Sequence, residues 1–203
     1  MATPHAPRLT GRLHLHRRTG GASAGTAVLT AASAREIAVA GLRVVLGFVF
    51  LWAFLDKTFG LGYATRSGKG WIDGGSPTKG FLSHVDAGPM AGTLRGWAGE
   101  TWADWLFMAG LLGIGLALIL GIGMRIAAAS GTAMMALMWI AEWPPAKHVE
   151  SGAASGSTNP FADYHVVYAL ALIALAAVAS RSRYGLGARW AELPVVRRNP
   201  WLR

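Results

Sequence analysis

IAVAGLRVVLGFVFLWAFLDKT, residues 37–58, decides the fold. The run carries a single charge, Arg43, before Asp56 and Lys57 close it. A helix rises about 1.5 Å per residue, so about 20 apolar residues cross the hydrocarbon of a bilayer. Working outward, three more apolar runs follow, at about 102–123, 125–143 and 161–180. The last two are extended by Trp139, Trp143, Tyr164 and Tyr168, residue types that settle at membrane–water interfaces. The expectation is an all-α membrane protein, a four-transmembrane-helix bundle spanning residues 35–181.

The remaining segments differ in kind. Residues 1–34 are rich in Ala, Gly, Thr, Arg and His, contain no acid, and read as a disordered basic tail. They lack the apolar core and cleavage site of a secretory signal. His14 and His16 are metal-ligand types, but two histidines in a loose tail normally bind nothing. The 59–101 loop is long for a connection between helices, and such loops are functional or disordered. Ser76 before Pro77 is a helix-start signal, a capping hydroxyl followed by proline at the first helical position. Short interfacial helices are expected at about 77–85 and 90–97. Residues 182–203 read as a second basic tail, held at the membrane by anionic lipid or docked to a soluble partner.

Composition agrees with a membrane chain: 53% of residues are hydrophobic, 14% are charged and 27 are glycine. The formal net charge of +9 raises nucleic acid as a partner. The arginines flank apolar runs instead of forming one patch, so no nucleic-acid partner is expected. Basic residues near span ends mark the cytoplasmic side. Arg8, Arg12, Arg17, Arg18, Arg35, Arg125, Arg181, Arg183, Arg189, Arg197, Arg198 and Arg203 all fall on the side of the two termini. Both termini are therefore expected in the cytoplasm of a multi-pass cell-membrane protein, with 59–101 outside. With no cysteine, disulfide, thiolate-metal and thiol-nucleophile chemistry is excluded for the chain itself. Small residues at 109, 113, 117 and 121, and Gly41 and Gly47 on the first span, are expected to let helices approach closely.

Three stretches together resemble the DoxX/DoxD family of small four-helix membrane proteins. They are LRVVLGFVFLWAFLDKTFG (42–60), GLALILGIGMRIAA (115–128) and NPFADYHVVYALALIALA (159–176). GGSPTKGFL (74–82) is similar to the outer loop of DoxD-like members. The resemblance implies a thiosulfate:quinone oxidoreductase large subunit, with quinone as electron acceptor and a small DoxA-like subunit as partner. Other relatives imply a different role, a non-catalytic membrane anchor or assembly subunit for soluble redox-defence enzymes. Fold alone does not choose between them.

Charges within or at the rim of a membrane are expensive and default to functional hypotheses. Arg43 shares a helical stripe with Gly47, Phe50, Phe54 and Lys57. It either faces the helix interior, holding an acid, a carbonyl or a quinone oxygen, or snorkels to headgroups. At the outer rim, antiparallel packing brings Asp56, Lys57, Glu142, Lys147, His148, Asp163 and His165 to one surface. Lys57, Glu142, Asp163 and His165 are the candidate catalytic set. Arg43, Asp56, Lys57, Lys147 and His148 are the candidate substrate-binding set. A thiosulfate dianion needs convergent cations, and a quinone needs a proton donor or acceptor, for which histidine is best suited near neutral pH. The same residues also suit an ion network that ties helix ends together. Glu142, His148, Asp163 and His165 are metal-ligand types, but no ligand spacing links them and no metal is expected. Met134, Met135 and Met138 with Trp139 form either a soft groove for a quinone tail or ordinary packing. Membrane lipid and a second copy of the chain complete the expected partners.

Overall fold

The computed structural model describes residues 21–178 and 184–203, and the described residues are helical apart from turns and one isolated bridge between His148 and Ala154. Helix α1 runs Gly21–Phe59. A short 3-10 turn at Trp71–Asp73 is followed by α2, Lys79–Leu82, and α3, Ala91–Gly96. The long helices α4, Thr101–Leu120, and α5, Met124–Glu142, come next. Then follow α6, Tyr164–Val178, α7, Gly187–Glu192, and α8, Pro194–Arg198, with a closing 3-10 turn at Pro200–Leu202.

Among the described residues, three helices are long and apolar enough to cross a membrane: Ser33–Phe59 within α1, α4 and α5. This is consistent with a multi-pass membrane protein. Their outward faces are apolar too, with Val45, Phe48, Leu106, Leu116 and Leu137 exposed. A helix on the surface of a soluble domain carries polar groups there instead. α6 has 15 described residues and is apolar but shorter. Helix α1 starts inside the stretch expected to be a disordered tail, because Gly21–Ala34 continues the helix ahead of the apolar run. Residues 1–20, with His14, His16 and the first four arginines, and residues 179–183, with Arg181 and Arg183, lie outside the described residues.

Contacts divide the chain after Arg35, and the core lies within Glu36–Arg203. There α1, α4, α5 and α6 share one core of Leu46, Phe50, Met108, Leu111, Ile114, Leu118, Met135, Leu172 and Leu175. Lipid is as apolar as leucine, so such helices associate through close packing and not through expulsion of water. The closest approach is between α1 and α4. A Cβ on Gly47 would stand 2.9 Å from Leu118 Cβ and 3.0 Å from the Gly115 carbonyl oxygen, and one on Gly115 would stand 2.8 Å from Leu51 N. Of the expected stripe at 109, 113, 117 and 121, Gly121 meets the Arg43 side chain of α1 but Gly113 does not face this crossing. Gly113 and Gly41 have open space beside them, because the rotation of each helix is set by the surfaces it meets, not by its own spacing. Gly47→Leu is expected to lower stability in detergent by about 2–4 kcal/mol through overpacking. A thermal-unfolding shift matching that of Gly41→Leu would count against the crossing.

The two ends of the molecule differ. The loop end carries 60–100, where α2 and α3 form inside the two short helices expected there. The Ser76 hydroxyl accepts the Lys79 N–H at 3.1 Å, but the helix starts at Lys79 after Thr78, so Pro77 precedes it instead of opening it. Val85, Ala91 and Leu94 pack with Ala141 of α5, so this loop is a folded cover with its own small core. The tail end carries the Gly121–Gly123 turn, where Gly121 ends α4 at φ 73. Here the expected basic tail is folded: Leu186 N–H donates to Leu120 O at 2.8 Å, Arg125 N–H to Arg203 O at 2.9 Å, and Val196 is fully buried. Val196 is buried and Trp190 Nε1 donates to Leu202 O at 2.7 Å, contacts that the arginines between them obscure.

Candidate functional site

Asp163 positions the site. It sits one residue before α6, where an aspartate accepts free N–H groups of the first turn. Its Oδ1 accepts the backbone N–H of His165 at 3.1 Å and of Val166 at 3.2 Å. Its Oδ2 lies 2.8 Å from His165 Nδ1. One carboxylate therefore starts the helix and orients the imidazole. Before it, Asn159 Oδ1 accepts the N–H groups of Phe161 and Ala162, fixing the turn into α6. From the end of α5, Glu142 Oε2 lies 3.9 Å from the same Nδ1, and Glu142 Oε1 accepts the Tyr164 hydroxyl at 2.7 Å. The Tyr164 ring lies against the imidazole with centroids 4.0 Å apart.

His165 is 1% exposed. Its Nε2, across the ring from the carboxylates, is buried without a hydrogen-bond partner. Leaving such a group unpaired costs about 1–3 kcal/mol, which makes it a natural contact for a ligand. His165 forms part of the wall of a cavity of about 300 Å³ between α5 and α6. Thr132, Met135, Trp139, Phe161, Val166 and Leu170 are among its other walls. Thr132 Oγ1 is also buried and unpartnered. Trp139 Nε1 is committed to the Phe161 carbonyl at 2.9 Å. An apolar cavity with a few polar groups is the usual form of a small-molecule site. Of the methionines weighed as a groove, Met135 lines it, whereas Met134 turns toward Gly110 of α4 and Met138 joins the core.

On the other side of the carboxylates, a second cavity of about 550 Å³ opens at the loop end. Glu142, Asp163, Tyr164, Asp86 and His84 line it, with Ser155, Ser157 and Asn159. No lysine or arginine is in its lining. No family model, curated protein or solved structure matches this chain.

The structure brings together Glu142, Asp163 and His165, three of the four expected catalytic residues. Their ligand atoms lie within 4.8 Å of one another. Nδ1 is engaged by Asp163, and one Glu142 oxygen by Tyr164, so hydrogen bonds account for the arrangement and no metal is assigned to them. The remaining candidates lie elsewhere. Lys57 extends over the Phe107 ring of α4, its Nζ 5.8 Å from the centroid, and among the described residues forms no ion pair within 4 Å. Asp56 is 1% exposed, and its two oxygens take the N–H groups of Tyr63 and Thr65 at 3.3 and 2.8 Å, closing the turn after α1. Lys147 and His148 are exposed on the α5–α6 connection, outside both cavities. Arg43 is 3% exposed, so it faces inward and does not snorkel. Its Nη2 donates to the Tyr184 carbonyl at 2.9 Å, and its guanidinium fills the space beside Gly121 and Gly185.

Asp104 is missing from the expected set. It is 6% exposed at the start of α4, and its Oδ1 accepts the Ser76 hydroxyl at 2.9 Å, the Thr78 N–H at 3.0 Å and the Thr78 hydroxyl at 2.6 Å. The signal was an acid in a first helical turn with a Ser-Pro-Thr segment upstream to receive it.

Proposed function

We propose that this chain is a DoxX/DoxD-like integral membrane subunit that handles membrane quinone in the α5–α6 cavity. In this reading α6 is the fourth span, both termini are cytoplasmic and the loop end faces outward. The 15 described residues of α6 cover about 22 Å, and Trp139, Trp143, Phe161 and Tyr164 form an interfacial belt at the loop end. The observation that carries the quinone assignment is the buried, unpartnered His165 Nε2 on the wall of an apolar cavity. A quinone ring fits apolar walls, and its oxygens need one donor or acceptor that works near neutral pH. The full reaction is two thiosulfate plus quinone plus two protons giving tetrathionate plus quinol.

The sulfur half of that equation rests on the resemblance alone. Lys57, Lys147 and His148 do not converge, and the vestibule beside Glu142 and Asp163 is acidic, a poor host for a dianion. That acidity favours electrons arriving through a partner, as a DoxA-like subunit or a soluble redox enzyme would deliver them. The test is thiosulfate-dependent reduction of a short-tail quinone analogue by membranes with and without the chain. Activity appearing only with the chain supports the oxidoreductase. Activity absent even with a DoxA-like partner co-expressed transfers the assignment to the membrane-anchor role.

A further inference from the structure

The cavity between α5 and α6 and the vestibule at the loop end share no lining residue, but a lining residue of one, His165, is hydrogen-bonded to a lining residue of the other, Asp163. His165 lines the cavity and not the vestibule; Glu142, Asp163 and Tyr164 line the vestibule and not the cavity. The imidazole stands between them, Nδ1 toward the carboxylates and Nε2 away from them. We propose that His165 is the proton connection between the two, so that the protons of the quinone chemistry are exchanged with the aqueous phase at the loop end. This inference rests on the quinone reading above.

The cavity wall leaves few other routes. Its remaining polar side chains are Trp139, whose N–H is held by Phe161 O, and Thr132, whose hydroxyl does not ionise near neutral pH. The groups facing the ring are Glu142 from α5 and, from its own segment, Asp163 and Tyr164. Among the described residues no lysine or arginine pairs with it. In the charged ring Nε2–H donates to a quinone carbonyl; in the neutral ring with the proton on Nδ1, Nε2 accepts a quinol hydroxyl. Both redox states of the ligand are thus met by the same nitrogen.

The step balances as quinone plus two electrons plus two protons giving quinol. The electrons come from the sulfur-anion donor or redox partner named above. Nε2 of the charged ring gives one proton to a quinone oxygen, which leaves the neutral ring with its proton on Nδ1. The ring then turns over and gives that proton to the second oxygen as its other nitrogen takes one from the Asp163–Glu142 side, and the aqueous phase at the loop end returns both protons through these acids.

The experiment uses the full chain in sealed vesicles of known orientation, with decyl-benzoquinone as the probe and tryptophan fluorescence quenching as the readout. Lowering the pH by two units on the loop side alone is expected to tighten quinone binding about fivefold or more, by linkage between proton and ligand. The same change on the tail side is expected to leave it within twofold. His165→Gln should remove the response to loop-side pH, and Leu170→Trp, which fills the cavity, should remove binding while the protein still folds. Binding that follows tail-side pH, or neither side, overturns the proton connection and leaves the quinone site standing. No binding by the wild-type chain under any condition overturns both.

Discussion

His165→Leu is expected to abolish quinone-analogue reduction, with a fall of about 100-fold or more in turnover and little change in helix content. General acid–base groups contribute about 10²–10⁴ in rate, and His165 is the buried side chain on the cavity wall able to play that part. Leucine fills the space and keeps the cavity apolar, so the loss would come from chemistry. Some local cost is expected, since Asp163 Oδ2 and Glu142 Oε2 lose the ring between them. Both acids border the vestibule, where water can replace it. The measurement is steady-state reduction beside circular dichroism. Turnover in His165→Leu within threefold of wild type would remove the quinone site from the α5–α6 cavity.

Asp104→Ala is expected to release the loop-end cover. The carboxylate holds three donors from Ser76 and Thr78, and Thr78 Oγ1 in turn accepts the Gly99 N–H at 3.2 Å. Hydrogen bonds to a charged acceptor each contribute about 1.5–3 kcal/mol, less when water can replace the acceptor. A loss of about 3 kcal/mol is expected, read as earlier thermal unfolding in detergent and as protease cutting within 60–100. Asp104→Asn should recover part of it, because the amide oxygen still accepts. Resistance to protease unchanged in Asp104→Ala would mean that the cover is held by the Val85–Leu94–Ala141 core instead.

Helices were the legible part of this sequence. The expected runs at 102–123 and 125–143 became Thr101–Leu120 and Met124–Glu142, because hydropathy reports burial in lipid and Gly121 and Gly123 break the chain between them. α2 and α3 were legible from the residues before them. The loop-end site was legible in part. Placing all helix ends at one surface brought Glu142, Asp163 and His165 into view, but it says nothing about which ends are neighbours. α1 packs on α4, so Lys57 meets Phe107, and Asp56 is taken up by the turn at its own helix end. The facing of α4 was not fully legible either, since Gly115 lies against the α1 backbone while Gly113 of the four-residue stripe faces open space. Nor was the folded tail end, since in residues 182–203 five arginines interrupt ten apolar residues and hide their pattern.

The bond from Arg43 to Tyr184 has a consequence for how the protein is made. The partners are 141 residues apart in the chain. Synthesis proceeds at about 5–20 residues per second, so roughly 10–30 s pass between the ribosome adding one and the other. Throughout that interval α1 carries an arginine whose acceptor does not yet exist. A chain stopped after α6 keeps that orphaned cation permanently.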